Sequence, residues 1–140
     1  NYVIPDDMIR ALWWKFMINV GINQVSAALH SPYRRFQTPG EARSLMNSAM
    51  REVILIAQAK RVNLNEGDVE NWHDVLSGLS PDGKTSMLQD VEAGRKTEVE
   101  MFAGKVIDMG QRLGIPTPVN EELFHMIRKI EHGRSFFTEY

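Results

Sequence analysis

Apolar positions recur along this chain at helical spacing, and the clearest run lies between residues 42 and 57. Ala42, Leu45, Met46, Ala49, Val53, Ile54 and Ala57 return every three or four residues, the mark of one buried helix face. The same reading predicts helices on both sides of it. The first starts near Pro5, with Asp6 and Asp7 favourable at the positive end of its dipole, and runs to about Leu29 before Ser31-Pro32. A third spans roughly Glu66 to Leu79, ahead of the turn sequence Ser80-Pro81-Asp82-Gly83-Lys84. A short fourth runs from Ser86, read as its N-cap, to Gly94. Thr97-Glu98-Val99-Glu100 reads as a capping box opening a fifth, with Val99, Phe102, Ala103, Val106, Ile107 and Leu113 inward and Gly114-Ile115-Pro116 as its stop. Thr117 caps the last helix, with Pro118 at its first position and Leu123, Phe124, Ile127 and Ile130 apolar. Neither a repeat nor a convincing alternating strand appears. The expected fold class is all-α, a compact multi-helix bundle filling residues 1–140 as a single domain.

One helix breaks its own pattern. Lys15, Asn19 and Asn23 follow each other at i, i+4 and i+8, so three hydrogen-bonding side chains share one narrow stripe. Their neighbours are Trp13, Trp14, Phe16, Met17, Ile18, Val20 and Ile22. Burying an ammonium and two carboxamides in such company is costly unless other protein groups or a polar ligand meet them. Lys15 alone reads as a surface lysine with its stem on apolar neighbours. The asparagines alone read as packing amides. Their joint placement argues for more, because asparagine is a poor residue for a helix interior. Two further groups join the candidates. Ser86 stands at a helix start, where backbone N–H groups favour a carboxylate or phosphate. Glu98 stands in a first turn, where a carboxylate complements the dipole.

Composition narrows the classes. Hydrophobic residues make up 43% and charged residues 24% of 140 residues, ordinary for a globular protein. A net charge of −2 offers no basic excess for nucleic acid. The longest aliphatic run, Val53 to Ala57, is five residues, far short of a membrane span. The absence of cysteine excludes disulfide and thiolate chemistry and fits a reducing, cytoplasmic setting. Neither a glycine-rich phosphate loop nor a nucleophile elbow is present. His30, His73, His125 and His132 lack the i, i+3 or i+4 pairing of a helical metal site, so no metal is expected. The eight methionines read as adaptable core. The opening Asn1-Tyr2-Val3-Ile4-Pro5 reads as a chain cut or trimmed from something longer.

Four segments carry a family resemblance. They are Trp14-Lys15-Phe16-Met17-Ile18-Asn19-Val20-Gly21-Ile22-Asn23, Thr85-Ser86-Met87-Leu88-Gln89-Asp90, Thr97-Glu98-Val99-Glu100 and Gly114-Ile115-Pro116-Thr117-Pro118-Val119-Asn120. In that order, and with twelve residues from Ser86 to Glu98, they resemble the C-terminal domain of ketopantoate reductase (2-dehydropantoate 2-reductase). The resemblance implies the helical catalytic domain of a 6-phosphogluconate-dehydrogenase-like reductase. A separate N-terminal dinucleotide-binding domain, absent here, would hold NADPH. The implied reaction reduces the 2-keto group of ketopantoate to give pantoate, a step toward pantothenate and coenzyme A.

By motif position, Lys15 looks like the catalytic lysine and Glu98 like the glutamate that works with it. Asn19 and Asn23 look like substrate-binding amides, and Ser86 like the serine on the substrate carboxylate. The implied partners are a small-molecule 2-keto acid and a second copy in a homodimer, with no nucleic acid and no membrane. The chemistry is consistent. Hydride arriving at a keto carbon leaves negative charge on oxygen, and lysine can both stabilise that charge and give up a proton. Trp13, Trp14 and Phe16 would help exclude water. Thr85 stands where a second serine is common, Ala103-Gly104 where Asn-Gly is common, and the loop from His30 to Thr38 lacks a further substrate-contacting asparagine. These departures leave open a related reductase for another branched 2-keto acid. A non-catalytic helical dimerisation module, with the ladder as a packed polar network, is the other reading. The chain alone is expected to be inactive.

Overall fold

The computed structural model describes residues 6–138, with side chains through residue 133, and every regular element among them is helical. The proposed first-turn Pro5 lies outside the described residues. At the centre is α3 (Glu41–Ala59), whose periodic face is buried as its pattern predicts, with Leu45 half-buried.

The first helix is divided where its polar ladder falls. It consists of α1 (Asp6–Ile18), a π-helical turn (Asn19–Asn23) and α2 (Gln24–Leu29), closed by His30 in the left-handed region at φ 52°. The sequence Asn-Val-Gly-Ile-Asn contains only residues of low helix propensity, so widening this turn costs little. Gly21 also lets the turn seat against α3. A Cβ there would lie 2.7 Å from Met50 Cγ and 3.3 Å from the Met46 carbonyl oxygen.

α4 (Glu66–Ser77) starts from a reciprocal box between Asn65 and Asp68 and packs Trp72 on α3, its indole N–H directed at Met46 Sδ (3.4 Å). α5 (Ser86–Ala93) is capped by Thr85 and not by Ser86. The Thr85 hydroxyl accepts from Leu88 N–H, and Ser86 is the first helical residue. Gly94, at φ 73°, ends it as expected.

The fifth helix opens as a second π turn (Glu100–Gly104) continued by α6 (Lys105–Leu113). The expected capping box does not form. Thr97 N–H and Oγ1–H both donate to Glu131, while Glu100 pairs with Arg128. Leu113, expected inward, is 39% exposed at the helix end, and Gly114 at φ 71° turns the chain.

α7 (Pro118–Thr138) begins at the expected proline, but Glu52 takes the role given to Thr117. The Glu52 carboxylate accepts from Val119 N–H (2.8 Å), Asn120 N–H (2.9 Å) and Asn120 Nδ2 (2.7 Å). A buried carboxylate from α3 thereby meets the free N–H groups and positive dipole end of α7. None of the described helices is long and apolar enough to cross a membrane. The described residues contain no His/Cys/Asp/Glu cluster suited to a metal.

Candidate active site

The two π turns pack against each other, and the sequence-predicted site residues lie on or beside them. Within the first turn, Asn23 Nδ2 donates to Asn19 Oδ1 at 3.0 Å. Asn23 Oδ1 in turn accepts from Ser86 Oγ (3.3 Å) and lies 3.5 Å from the Met87 backbone nitrogen. Asn19, Asn23 and Ser86 therefore form one hydrogen-bonded chain from α1–α2 to the start of α5. The Nδ2 group of Asn19 has no partner among the described residues, so this half-buried chain keeps donors for something else.

A buried hydroxyl pair fixes the junction. Ser26 Oγ donates to the Asn23 carbonyl (3.0 Å) and lies 2.6 Å from Thr85 Oγ1. Ser26 has one proton, already spent on that carbonyl, so Thr85 is the donor between the two hydroxyls. Thr85 also accepts from Leu88 N–H (3.1 Å). Thr85 is buried, so its methyl group is packed into the same junction.

Lys15 and Glu98 are placed differently. Both are exposed and form no ion pair with each other among the described residues. Lys15 lies one turn before Asn19 on α1, and Glu98 lies two residues ahead of the second π turn. Phe16 of α1 approaches Phe102 of the second π turn there, ring centroids 6.5 Å apart, with Trp13 edge-on to Phe16 at 5.9 Å. Trp13 and Phe16 also line a shallow apolar hollow of about 180 Å³ with Leu12, Lys105 and Met109. Leu12, which lines this hollow, is 62% exposed, and Met101 in the second π turn is 59% exposed.

Sequence reasoning missed Gln24. It is fully buried and its carboxamide is fully used: Oε1 accepts from Ala103 N–H (2.7 Å), while Nε2 donates to the Val20 carbonyl (2.7 Å) and Asn120 Oδ1 (3.1 Å). A glutamine beside a run of poor helix formers was the available signal.

The family described as "Ketopantoate reductase PanE/ApbA C terminal" matches residues 7–131. Among curated relatives, 2-dehydropantoate 2-reductase from Pyrobaculum aerophilum is 34% identical over 128 residues, covering 91% of this chain and 46% of the relative. The Vibrio cholerae protein of the same name is 30% identical, covering 90% and 42%. The chain thus spans less than half the length of these relatives. A crystal structure of a PanE/ApbA family ketopantoate reductase from Ralstonia eutropha superposes with TM-score 0.78 at 30% identity, over 89% of this chain and 42% of that one. The fold alone is shared with a dimeric ketopantoate reductase from Staphylococcus aureus, at TM-score 0.82 and 23% identity over 94% of this chain and 46% of that one.

Proposed function

Since this chain belongs to the ketopantoate reductase family, as its C-terminal domain, we propose that it is the substrate-holding and proton-donating half of an NADPH-dependent 2-dehydropantoate 2-reductase. The Asn19–Asn23–Ser86 chain carries this reading. It presents spare hydrogen-bonding groups beside an exposed lysine, and the apolar hollow along Trp13 and Phe16 suits cover by another domain.

NADPH, held by the dinucleotide-binding half, supplies the hydride. None of this chain's residues is assigned to it, because the chain carries no glycine-rich loop for its phosphates. Ser86, the first residue of α5, takes the substrate carboxylate by turning its hydroxyl proton from Asn23 Oδ1 to the ligand, at the positive end of the helix dipole. Asn19 and Asn23 bond substrate oxygens without adding charge. Lys15 faces the keto oxygen, stabilises the negative charge that develops there and gives it a proton from Nζ. Glu98 orients the ammonium once the second half closes over both. That closure supplies the dry environment in which such contacts gain strength.

The substrate is ketopantoate or a related branched 2-keto acid. The enzyme works in the cytoplasm as a homodimer. The relative from Staphylococcus aureus, described as dimeric, supports the assembly.

The deciding experiment measures NADPH consumption by the full-length protein with a panel of 2-keto acids. Preferred turnover of ketopantoate is expected. Preference for another branched acid would move the substrate and keep the reaction. Absence of turnover with every acid would overturn the reading in favour of a helical association module.

A further inference from the structure

We propose that Gln24 is a positioning residue that holds the second π turn open and so sets Glu98 against the Lys15–Asn19–Asn23 ladder; this rests on the reading of the site as a reductase. The hydrogen bonds of the second π turn carry the argument. In an α-helix, Ala103 N–H would donate to the Val99 carbonyl. Here Gly104 N–H takes that carbonyl instead (3.0 Å), the i−5 bond of a π turn. Ala103 N–H is left over, buried, and Gln24 Oε1 accepts it at 2.7 Å. Without that acceptor the open form would strand a buried donor, and an unmade bond of this kind is heavily penalised.

The other end of the same carboxamide serves the first π turn. Gln24 N–H bonds Gly21, and Gln24 Nε2 covers the Val20 carbonyl. Asn120 Oδ1 accepts the second Nε2 proton, and Asn120 is itself held by Glu52. The glutamine is thus tied to α7, and its amide cannot turn over without misplacing donors and acceptors on three elements.

Closing the second π turn into an α-helix would add one residue's worth of advance. Everything before it would move by about 1.5 Å and about 100° around the axis relative to α6. Glu98 lies on the side that moves. A carboxylate meant to orient a lysine would then face away from it, while Asn19, Asn23 and Ser86 would keep their own contacts.

The test compares Gln24→Met, Glu98→Ala and the double variant in the full-length protein. Gln24→Met is expected to lower kcat on the order of 10²-fold, the cost of a displacement near 1 Å at a reacting centre, with little change in KM. The double variant is expected to lose no more than Glu98→Ala alone, because both changes remove the same contact. Additive losses, or a lower Tm with unchanged kcat, would reduce Gln24 to a packing role and overturn the proposal. A second measurement does not depend on activity. With ¹⁵N-alanine and ¹⁵N-glycine labels, the Ala103 and Gly104 amide resonances should shift in Gln24→Met as their acceptors exchange. Unchanged resonances would overturn the proposal even in an active enzyme. A wild-type protein inactive on every 2-keto acid, with shifted resonances, would leave the role in holding the second π turn standing and sink only the reductase reading.

Discussion

Asn23 and Ser86 share a hydrogen bond across 63 residues of sequence, Oγ to Oδ1 at 3.3 Å, and it joins the first π turn to the start of α5. A substrate bound at one of them therefore feels the other. Asn23 Oδ1 is turned toward α5 and its Nδ2 toward Asn19, so the carboxamide works as an organiser of its two neighbours.

Removing either residue should weaken binding before it slows chemistry. Asn23→Ala and Ser86→Ala are each expected to raise KM for the 2-keto acid by roughly 10- to 100-fold, the scale of one hydrogen bond to a charged ligand. The double variant should lose less than the product of the single losses, because the pair is coupled. Steady-state kinetics on the full-length protein give the answer, and a strictly multiplicative loss would show two independent contacts.

Lys15 should separate from these in kind. It is exposed and bears no part of the fold's packing, so Lys15→Ala should leave Tm within the range of a neutral surface change. Turnover should fall by ~10²–10⁴, the range for a general acid. Lys15→Arg should restore charge but not rate, since guanidinium does not give up its proton near neutral pH. Near-normal turnover in Lys15→Ala would remove the lysine from the mechanism.

The pattern of apolar positions was enough to place the central helix, because α3 is buried along a continuous stripe and period alone reveals that. The stops at Gly94 and Gly114 were equally legible, since a left-handed closing residue favours glycine. Asn19, Asn23 and Ser86, picked out by spacing and motif, do meet. The π turns were not legible. Each is one extra residue in a helix whose outward pattern barely changes, and the partner that stabilises the second, Gln24, comes from another element. The capping assignments were only partly right for a related reason: Thr97 Oγ1 does accept from Val99 N–H (3.3 Å), but without the reciprocal glutamate. Ser86, Thr97 and Thr117 have the right residue types, but local capping competes with long-range partners. Thr85 is anchored by Ser26, Thr97 by Glu131, and the α7 N-terminus by Glu52. Sequence spacing carries no record of a partner 34 or 68 residues away.

Two glycines give a paired test of packing. At Gly110 a Cβ would stand 2.7 Å from both the Ile115 carbonyl oxygen and Thr117 Cγ2, so the loop before α7 would have to move. Gly110→Ala is expected to cost about 1–3 kcal/mol, the usual scale of overpacking. At Gly104 the nearest atoms, Glu100 Cβ and Phe124 Cε1, are at 3.7 Å, an ordinary contact. Gly104→Ala should therefore be neutral or slightly stabilising, by up to about 1 kcal/mol. Thermal melts of the two variants side by side decide it, and equal losses would show that the second π turn needs its glycine for reasons other than space.

The pH dependence of stability should report Glu131. Burial by itself would raise this carboxyl group, but Thr97 N–H (2.7 Å), Thr97 Oγ1–H (2.8 Å) and Arg128 (3.1 Å) outweigh it and hold it below the ordinary glutamate range. A carboxyl held low in the folded state binds its proton more readily when unfolded. Its contribution is therefore fully present above the unfolded value near ~4.3, and is lost as pH falls through the folded value. Glu131→Gln keeps the shape and removes the charge. At pH 7 it should cost about 1.5–3 kcal/mol, the scale of hydrogen bonds to a charged group. The gap from wild type should then shrink steadily as the medium is acidified below ~4.3. Denaturant unfolding of both proteins from neutral to acid pH measures that gap directly. A gap that stays constant with pH would mean that Thr97 is held by the shape of the side chain at 131 and not by its charge.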